Sequence, residues 1–437
     1  LGSGGGSQRL GVLHSQCHSL PPGAGWRGEG AAMGVSTLLG PWTPFLVAIS
    51  GRVLVGLWLF CYLEAHVVGV VPPALRSLTW YGSLAFMVLC FVQHFFAVAT
   101  TGPVPDTAVT HESGQFFADS VSWAVSHMRG WRDAMEDAHI AQVLDASIFP
   151  DTALFAVLDG HGGSEVSALA SCLLAREVNA FGRELRSEGG GSSLLAALEA
   201  ALPSVDAKLR AGKLNAGRVL PLSLHPFAGC GSTACVAAVD LVRREVVVAN
   251  IGDSRAILIR NGKAIALSQD HKPEDKKERF RIQAAGGRVE QMGPCHRIDG
   301  TLNLSRAFGD FRLKANASLP PEKQKVIAVP DSTRTPFVGG PQELLVVACD
   351  GLFEKLSNQA LADFVWPRHK DGMSFEQIGK ELLHACCARS HQGMPVGEGT
   401  DNETVIIVKL PGAPATPAKT KAESRTATAE ADPDAAE

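Results

Sequence analysis

Apolar residues along this chain follow two spacings that change over near residue 105. Before it lie two long apolar runs, 45–63 and 78–99, each close to the ~20 residues that span a bilayer as a helix. After it the apolar runs are of strand length: 153–158, 233–241, 245–251, 256–259, 344–349 and 404–410. The clearest is A-I-L-I-R-N-G-K-A-I-A-L, where Asn261-Gly262 supplies the positive φ angles of a tight turn, predicting an antiparallel hairpin. Helical spacing interleaves with the strands. Ser164 caps a periodic run to about Phe181, Pro273 opens a helix that Gly286 ends, and Ser374 with Gln377 forms a capping box before I-G-K-E-L-L-H-A-C-C.

The same patterning divides the chain. Residues 1–44, opening L-G-S-G-G-G-S, read as a low-complexity, disordered leader; Met33 is a candidate true start, and Leu38 stands where a myristoylation signal needs Ser or Thr. Residues 45–104 read as a membrane anchor. Only Arg9, Arg27, Glu29, Arg52, Glu64 and Arg76 carry formal charge before Asp106, and Arg52 inside the first run costs roughly 3 kcal/mol at mid-span unless it snorkels or pairs. Pro72-Pro73 suits a turn between two spans, and the arginines of the leader favour a cytosolic N-terminus, hence a membrane-anchored protein whose part beyond residue 105 faces the cytosol. Buried helices or a cleaved signal sequence are the competing readings; no positive cluster precedes residue 45 and no small-x-small cleavage site follows. Residues 105–410 read as one globular domain and 411–437, rich in Ala, Pro, Thr, Lys and Glu, as a disordered tail. Gly189 to Ser193 and Pro320-Pro321 read as surface loops.

Composition narrows the chemistry. With 437 residues and a net charge of −4, the chain holds one large domain plus appendages and gives no basis for nucleic-acid binding. Ten cysteines lack the spacing of a disulfide framework or a zinc cage. None is followed six positions later by arginine, which excludes a cysteine-nucleophile phosphatase loop. Oligomeric state is not legible.

Acidic motifs recur where strands or turns should end: R-G-W-R-D-A-M-E-D around Glu136 and Asp137, D-G-H-G-G at Asp159, G-D-S-R at Asp253, A-C-D-G at Asp350 and T-D-N-E-T at Asp401. Two unit charges about 4 Å apart repel by roughly 4 kcal/mol at an effective dielectric of 20, so carboxylates that converge need cations. Oxygen ligands without a cysteine or histidine cage point to magnesium or manganese. Asp159 follows the strand F-A-V-L and precedes Gly160, where a missing side chain lets backbone approach an ion. Asp350 ends V-V-A-C in the same way. A lone Asp-Gly is ordinarily a plain turn; the case rests on several together.

In order and spacing, R-x-x-M-E-D, D-G-H-G-G, G-S-T-A, G-D-S-R, D-H-K-P, L-S-R-A-F-G-D, C-D-G and D-N-x-T-V resemble the signature of the metal-dependent serine/threonine protein phosphatases of the 2C type, over residues 115–410. The resemblance implies an α+β fold: a four-layer α-β-β-α sandwich of two antiparallel sheets flanked by helices, here preceded by two candidate transmembrane helices. It implies two core metal ions, Mg2+ or Mn2+, with a third, weaker site. Asp159 would bridge the pair, the Gly160 carbonyl would ligate one ion, and Asp350 and Asp401 the other. Glu136 and Asp137 would hold the site directly or through water, and Asp253 would serve the third ion. Glu354 departs from the family by standing where an aspartate is common. Arg132 matches the phosphate-binding arginine and His161 the general acid; by chemistry alone Arg129 competes with Arg132, and His161 could be a turn histidine. Ser305, Arg306, Asp310, Asp270 and His271 read as architectural.

The expected function is hydrolysis of phosphoserine and phosphothreonine in protein substrates by a water bridging two metal ions, restricted to one membrane by the tether. The alternative is a catalytically silent phosphatase-like domain that binds partners at a membrane. A phosphorylated metabolite or lipid is the third reading, because loops such as 288–300 and 315–325 carry substrate choice and cannot be read from one sequence.

Overall fold

The computed structural model describes residues 104–412 apart from 119, 188–192, 212–226, 228 and 392–393. The two long apolar runs, the leader, most of the 189–193 loop and the tail beyond 412 lie outside the described residues. Among those described, no helix is long and apolar enough to cross a membrane.

Two antiparallel sheets form the frame. One has six strands in the order Thr110–Phe116, Val121–Met128, Glu403–Lys409, Glu343–Ala348, Arg255–Arg260, Lys263–Ala266. The other has five, in the order Asp331–Pro336, Glu245–Ile251, Ala234–Asp240, Thr152–Leu158, Ala138–Val143. Helices Glu165–Ser187 and Leu194–Arg210 cover the outer face of the five-stranded sheet, and Asn358–Lys370 with Phe375–Cys386 cover the six-stranded one.

This layering explains the unbroken apolar runs. In Thr152–Leu158, Ala153, Phe155 and Val157 join the core between the sheets while Leu154, Ala156 and Leu158 join the core under the helices. Successive side chains point to opposite faces, and here both faces are buried, so alternation disappears. The neighbouring strand divides likewise, with Cys235, Ala237 and Val239 inward and Ala234, Val236 and Ala238 outward.

Several local expectations hold. Asn261 (φ +51°) and Gly262 (φ +79°) make the two-residue turn that pairs Lys263 with Arg260. Ser374 Oγ accepts from Gln377 N at 3.3 Å and caps its helix, which is half of the expected capping box; the Gln377 side chain donates to Glu381 Oε1 at 3.1 Å. Others shift. The helix from Glu165 runs to Ser187, past Phe181, because Gly182 is a packing site: a Cβ there would lie 2.5 Å from the Phe149 ring. The helix expected from Pro273 begins at Lys276, after a turn in which Asp275 Oδ2 accepts from Lys272 N at 3.2 Å, and Gly286 (φ +82°) lies just beyond its end. Within the 288–300 loop, Val289–Met292 and Cys295–Ile298 form a hairpin, and Pro321–Lys323 is a short 3-10 turn.

Candidate active site

Antiparallel pairing brings the acidic motifs together. In the five-stranded sheet Ala138 pairs with Leu158, Val157 with Cys235, and Ala234 with Ile251. Asp137, Asp159 and Asp253 therefore emerge at one end of that sheet. In the other sheet Ala348 pairs with Val405, so Asp350 and Asp401 emerge together. The two ends meet: Thr404 Oγ1 donates to Asp137 Oδ2 at 2.6 Å, and Asn402 Oδ1 accepts from Glu136 N at 2.9 Å.

Asn402 is a hub. Its Nδ2 also donates to Arg129 O (2.9 Å) and Ala134 O (3.0 Å), pinning the loop that carries Arg132. Trp131 Nε1 donates to Ala388 O at 2.9 Å and anchors the same loop from its other side. Asp159 is fixed by a reciprocal pair with Thr233, its amide donating to Oγ1 (3.1 Å) and its carbonyl accepting from the Thr233 amide (2.9 Å). None of Asn402, Thr404 and Thr233 was assigned a role from sequence, although the D-N-E-T and G-S-T motifs contain them.

The electrostatics follow from this convergence. Burial raises Asp159 well above the usual carboxylate range, and the Asp350, Asp137, Asp401 and Asp253 charges raise it further. Burial likewise lifts Asp350, with Asp253 and Asp401 adding to it and a hydrogen bond from Asp159 opposing. Asp137 is pushed up to about 7, by burial first and by Asp401 beyond it. Two cations answer two of the five aspartates: Arg132 pairs with Asp401, and Lys272, unassigned from sequence, pairs with Asp253. Asp137, Asp159 and Asp350 have no basic partner among the described residues.

Arg129 and Arg132 are distinguished here. Arg129 is engaged away from the cluster, with Asp106 (3.3 Å) and Asp133 O (3.1 Å). Arg132 loses some cationic stability to burial, which Asp401, Asp159 and Asp350 more than restore, so its pKa is raised. His161 follows Gly160 in a two-residue strand, and its Nε2 is 2.8 Å from Asp310 Oδ2. Asp310 thus touches a candidate site residue, beyond the architectural part expected of it. Ser305 and Arg306 are buried in a network with Glu278, and Asp270 holds Arg255 through two hydrogen bonds. Glu354 lies nearer the Asp401 side: burial and then the Asp401 charge raise its pKa.

The donor set fits hard divalent ions. Asp137 Oδ1 and Asp350 Oδ1 are buried without a hydrogen-bond partner, a costly arrangement unless something positive completes it. Among the described residues no group of three His, Cys, Asp or Glu side chains stands arranged to hold an ion by itself. An ion here would complete its shell with water and backbone oxygen, as magnesium does. Gly160 allows the close approach: a Cβ would fall 2.2 Å from Glu136 O and 2.9 Å from Ser167 Oγ. Gly160→Ala should force these backbones apart at a cost of about 1–3 kcal/mol. We expect at least a tenfold loss of magnesium affinity by calorimetric titration; unchanged affinity would show that the approach of 160 to 136 is incidental.

Comparison with known proteins identifies the family. Residues 121–393, more than half of the chain, match the family model described as protein phosphatase 2C. "Probable protein phosphatase 2C 58" of Oryza sativa subsp. japonica is 39% identical over 343 residues, covering 70% of this chain and 88% of that protein. "Probable protein phosphatase 2C 6" of Paramecium tetraurelia is 36% identical over 308 residues, covering 70% of this chain and 97% of that protein. The crystal structure of a phosphatase from Toxoplasma gondii superposes with a TM-score of 0.53 at 26% identity, covering 69% of this chain and 96% of that one. The chain belongs to the protein phosphatase 2C family and is a metal-dependent serine/threonine protein phosphatase. The family implies dependence on a divalent ion, generally Mg2+ or Mn2+.

Proposed function

We propose that this chain dephosphorylates serine and threonine side chains of proteins by direct attack of water on phosphorus, with no phosphoenzyme. The carrying observation is the meeting, at one end of the sandwich, of Asp137, Asp159 and Asp350 without basic partners beside Arg132. Asp159, the Gly160 carbonyl, Asp350 and Asp401 would hold a pair of divalent ions, with Glu136 and Asp137 bracing the pair and Asp253 serving a third. Bound there, the ions would supply a water acidic enough to attack at neutral pH.

The chain's own residues do the rest. The Arg132 side chain is 52% exposed at the rim, so its planar fork can donate two parallel hydrogen bonds to phosphate oxygens of an incoming substrate. His161 gives a proton to the departing serine or threonine oxygen, a poor leaving group as an alkoxide. Asn402 and Trp131 keep the Arg132 loop against the carboxylates, which limits the entropy lost on binding. The apolar runs before residue 105 would tether this activity to a membrane, the catalytic domain on the cytosolic side.

The test is phosphate release from a phosphothreonine peptide, by the full chain and by a form lacking residues 1–104, with magnesium or manganese and then with chelator. Metal-dependent turnover by both forms, and partition of only the full chain with membranes, is expected. A soluble, folded protein with no turnover under either metal would leave a silent binding domain as the reading; both forms staying soluble would remove the tether.

A further inference from the structure

We infer that Asp310 is a positioning residue for the proton that His161 delivers, an inference that rests on reading His161 as the general acid. As a carboxylate Asp310 can only accept, so the 2.8 Å contact makes His161 Nε2 the donor. The ring is then held by one nitrogen, and the Nδ1 proton is the one left for the substrate. The P–O ester bond breaks, its electron pair stays on the serine or threonine oxygen, and that oxygen takes the imidazolium proton. The attacking water supplies the oxygen and one proton of the hydrogen phosphate, and its other proton returns to His161, restoring the imidazolium.

The contact is built into the fold. Three two-residue strands, Phe308–Gly309, Gly231–Ser232 and Gly160–His161, form a small sheet with Gly231 in the middle strand, paired to Gly309 on one side and His161 on the other. Asp310 and His161 meet across that middle strand. They can do so because residue 231 is glycine: a Cβ there would lie 2.2 Å from Asp310 Oδ2 and 2.4 Å from His161 Nε2. Asp310 is itself fixed, in the left-handed region at φ 49° with its amide donating to Cys230 O at 2.8 Å. That conformation is uncommon outside glycine, although Asp and Asn adopt it more readily than most. Nor is Asp310 the counter-ion of the nearby buried ammonium. Lys314 Nζ is bonded to Asp206 Oδ1 (2.7 Å) and to Ala307 O (2.8 Å).

A structural role and a positioning role separate by leaving group. An aryl phosphate such as p-nitrophenyl phosphate leaves as a stabilised phenolate and has little need of a proton; a phosphothreonine peptide needs one. The readout is the ratio of kcat on the peptide to kcat on the aryl phosphate, measured on the full chain with saturating manganese. We expect His161→Gln to lower this ratio by about a hundredfold. Asp310→Asn should lower it by about tenfold or more, the scale of a misplaced catalytic group. The double variant should have the ratio of His161→Gln alone. An equal loss on both substrates in Asp310→Asn would make Asp310 structural, and an unchanged ratio would make the contact idle; either overturns the inference while the His161 result stands. Additive losses in the double variant would also overturn it. If His161→Gln leaves the ratio unchanged, the general-acid reading fails first and the inference with it. Gly231→Ala, which should push the pair apart without removing either group, is expected to reproduce the Asp310→Asn ratio.

Discussion

Asp350→Ala is expected to lower phosphate release from a phosphothreonine peptide by about a thousandfold or more, without rescue by added magnesium. The magnitude follows from what the residue serves: an ion at a phosphoryl centre stabilises the transition state by several kcal/mol, and each ~1.4 kcal/mol is a factor of ten. On the proposed reading Asp350 would offer that ion a buried Oδ1, which has no hydrogen-bond partner. Retained metal-dependent turnover would remove Asp350 from the site.

Stability should move the other way. Asp350 is buried, and the Asp253 and Asp401 charges oppose its ionisation, so its loss relieves that penalty in chelator. The expected melting temperature in chelator is no lower than that of the parent, while the gain on adding magnesium shrinks, because that gain is binding to the folded state alone. Asp137 gives the pH dependence its sign. Its pKa is raised from 3.8 to about 7, chiefly by burial. A carboxyl raised on folding favours the fold fully below its unfolded pKa, and that contribution is lost as pH rises through the folded one. In chelator the Asp137 contribution therefore declines between about pH 4 and pH 7, and magnesium should flatten the decline. Chelator melts across that range check both points.

What the sequence disclosed and what it hid have physical reasons. Strands buried on both faces, such as Thr152–Leu158 and Glu343–Ala348, announced themselves as apolar runs. The strands Thr110–Phe116 (T-H-E-S-G-Q-F) and Asp331–Pro336 (D-S-T-R-T-P) did not, because they lie at sheet edges with few apolar side chains. Helices Leu194–Arg210 and Asn358–Lys370 went unread, each carrying an internal proline, Pro203 and Pro367, that argues locally against a helix. Asp159, Asp253, Asp350 and Asp401 could be named because each follows or precedes a readable strand with its glycine or asparagine; Glu136 and Asp137, before the unread strand Ala138–Val143, were named from their motif alone. The partners of site residues could not: Thr404 on Asp137 and Asp310 on His161 are set by sheet pairing between distant segments, and Lys272 reaches Asp253 from the loop beyond the hairpin of Arg255–Arg260 and Lys263–Ala266. Periodicity reports which face a residue is on, and says nothing of which other strand that face will meet.

Glu278→Ala carries the largest expected effect on stability. The helix Lys276–Ala284 and the hairpin after it rest on a small apolar cluster of Ile282, Ile298, Ala307 and Val326. Beside that cluster the Glu278 carboxylate is buried and accepts from Arg306 Nη2 (2.7 Å), Arg281 Nη1 (2.6 Å) and Ser305 Oγ (2.8 Å). Burial alone would raise its pKa; the Arg306 hydrogen bonds and the Arg281 and Arg306 charges reverse that and hold it at about 2. Removing the carboxylate strands two guanidinium groups, of which Arg306 keeps Asp331 and Arg281 keeps only backbone carbonyls. Breaking a buried pair from one side costs about 3–5 kcal/mol, which corresponds to a fall in melting temperature on the order of 10 °C. The sign with pH follows from the depressed pKa. This stabilisation is fully present above the ordinary value of 4.5 and is lost as pH falls through about 2, so the gap between parent and variant should be wide at neutral pH and close on acidification. Thermal melts at several pH values check it. A variant as stable as the parent at pH 7 would mean that the apolar cluster alone holds this part of the fold.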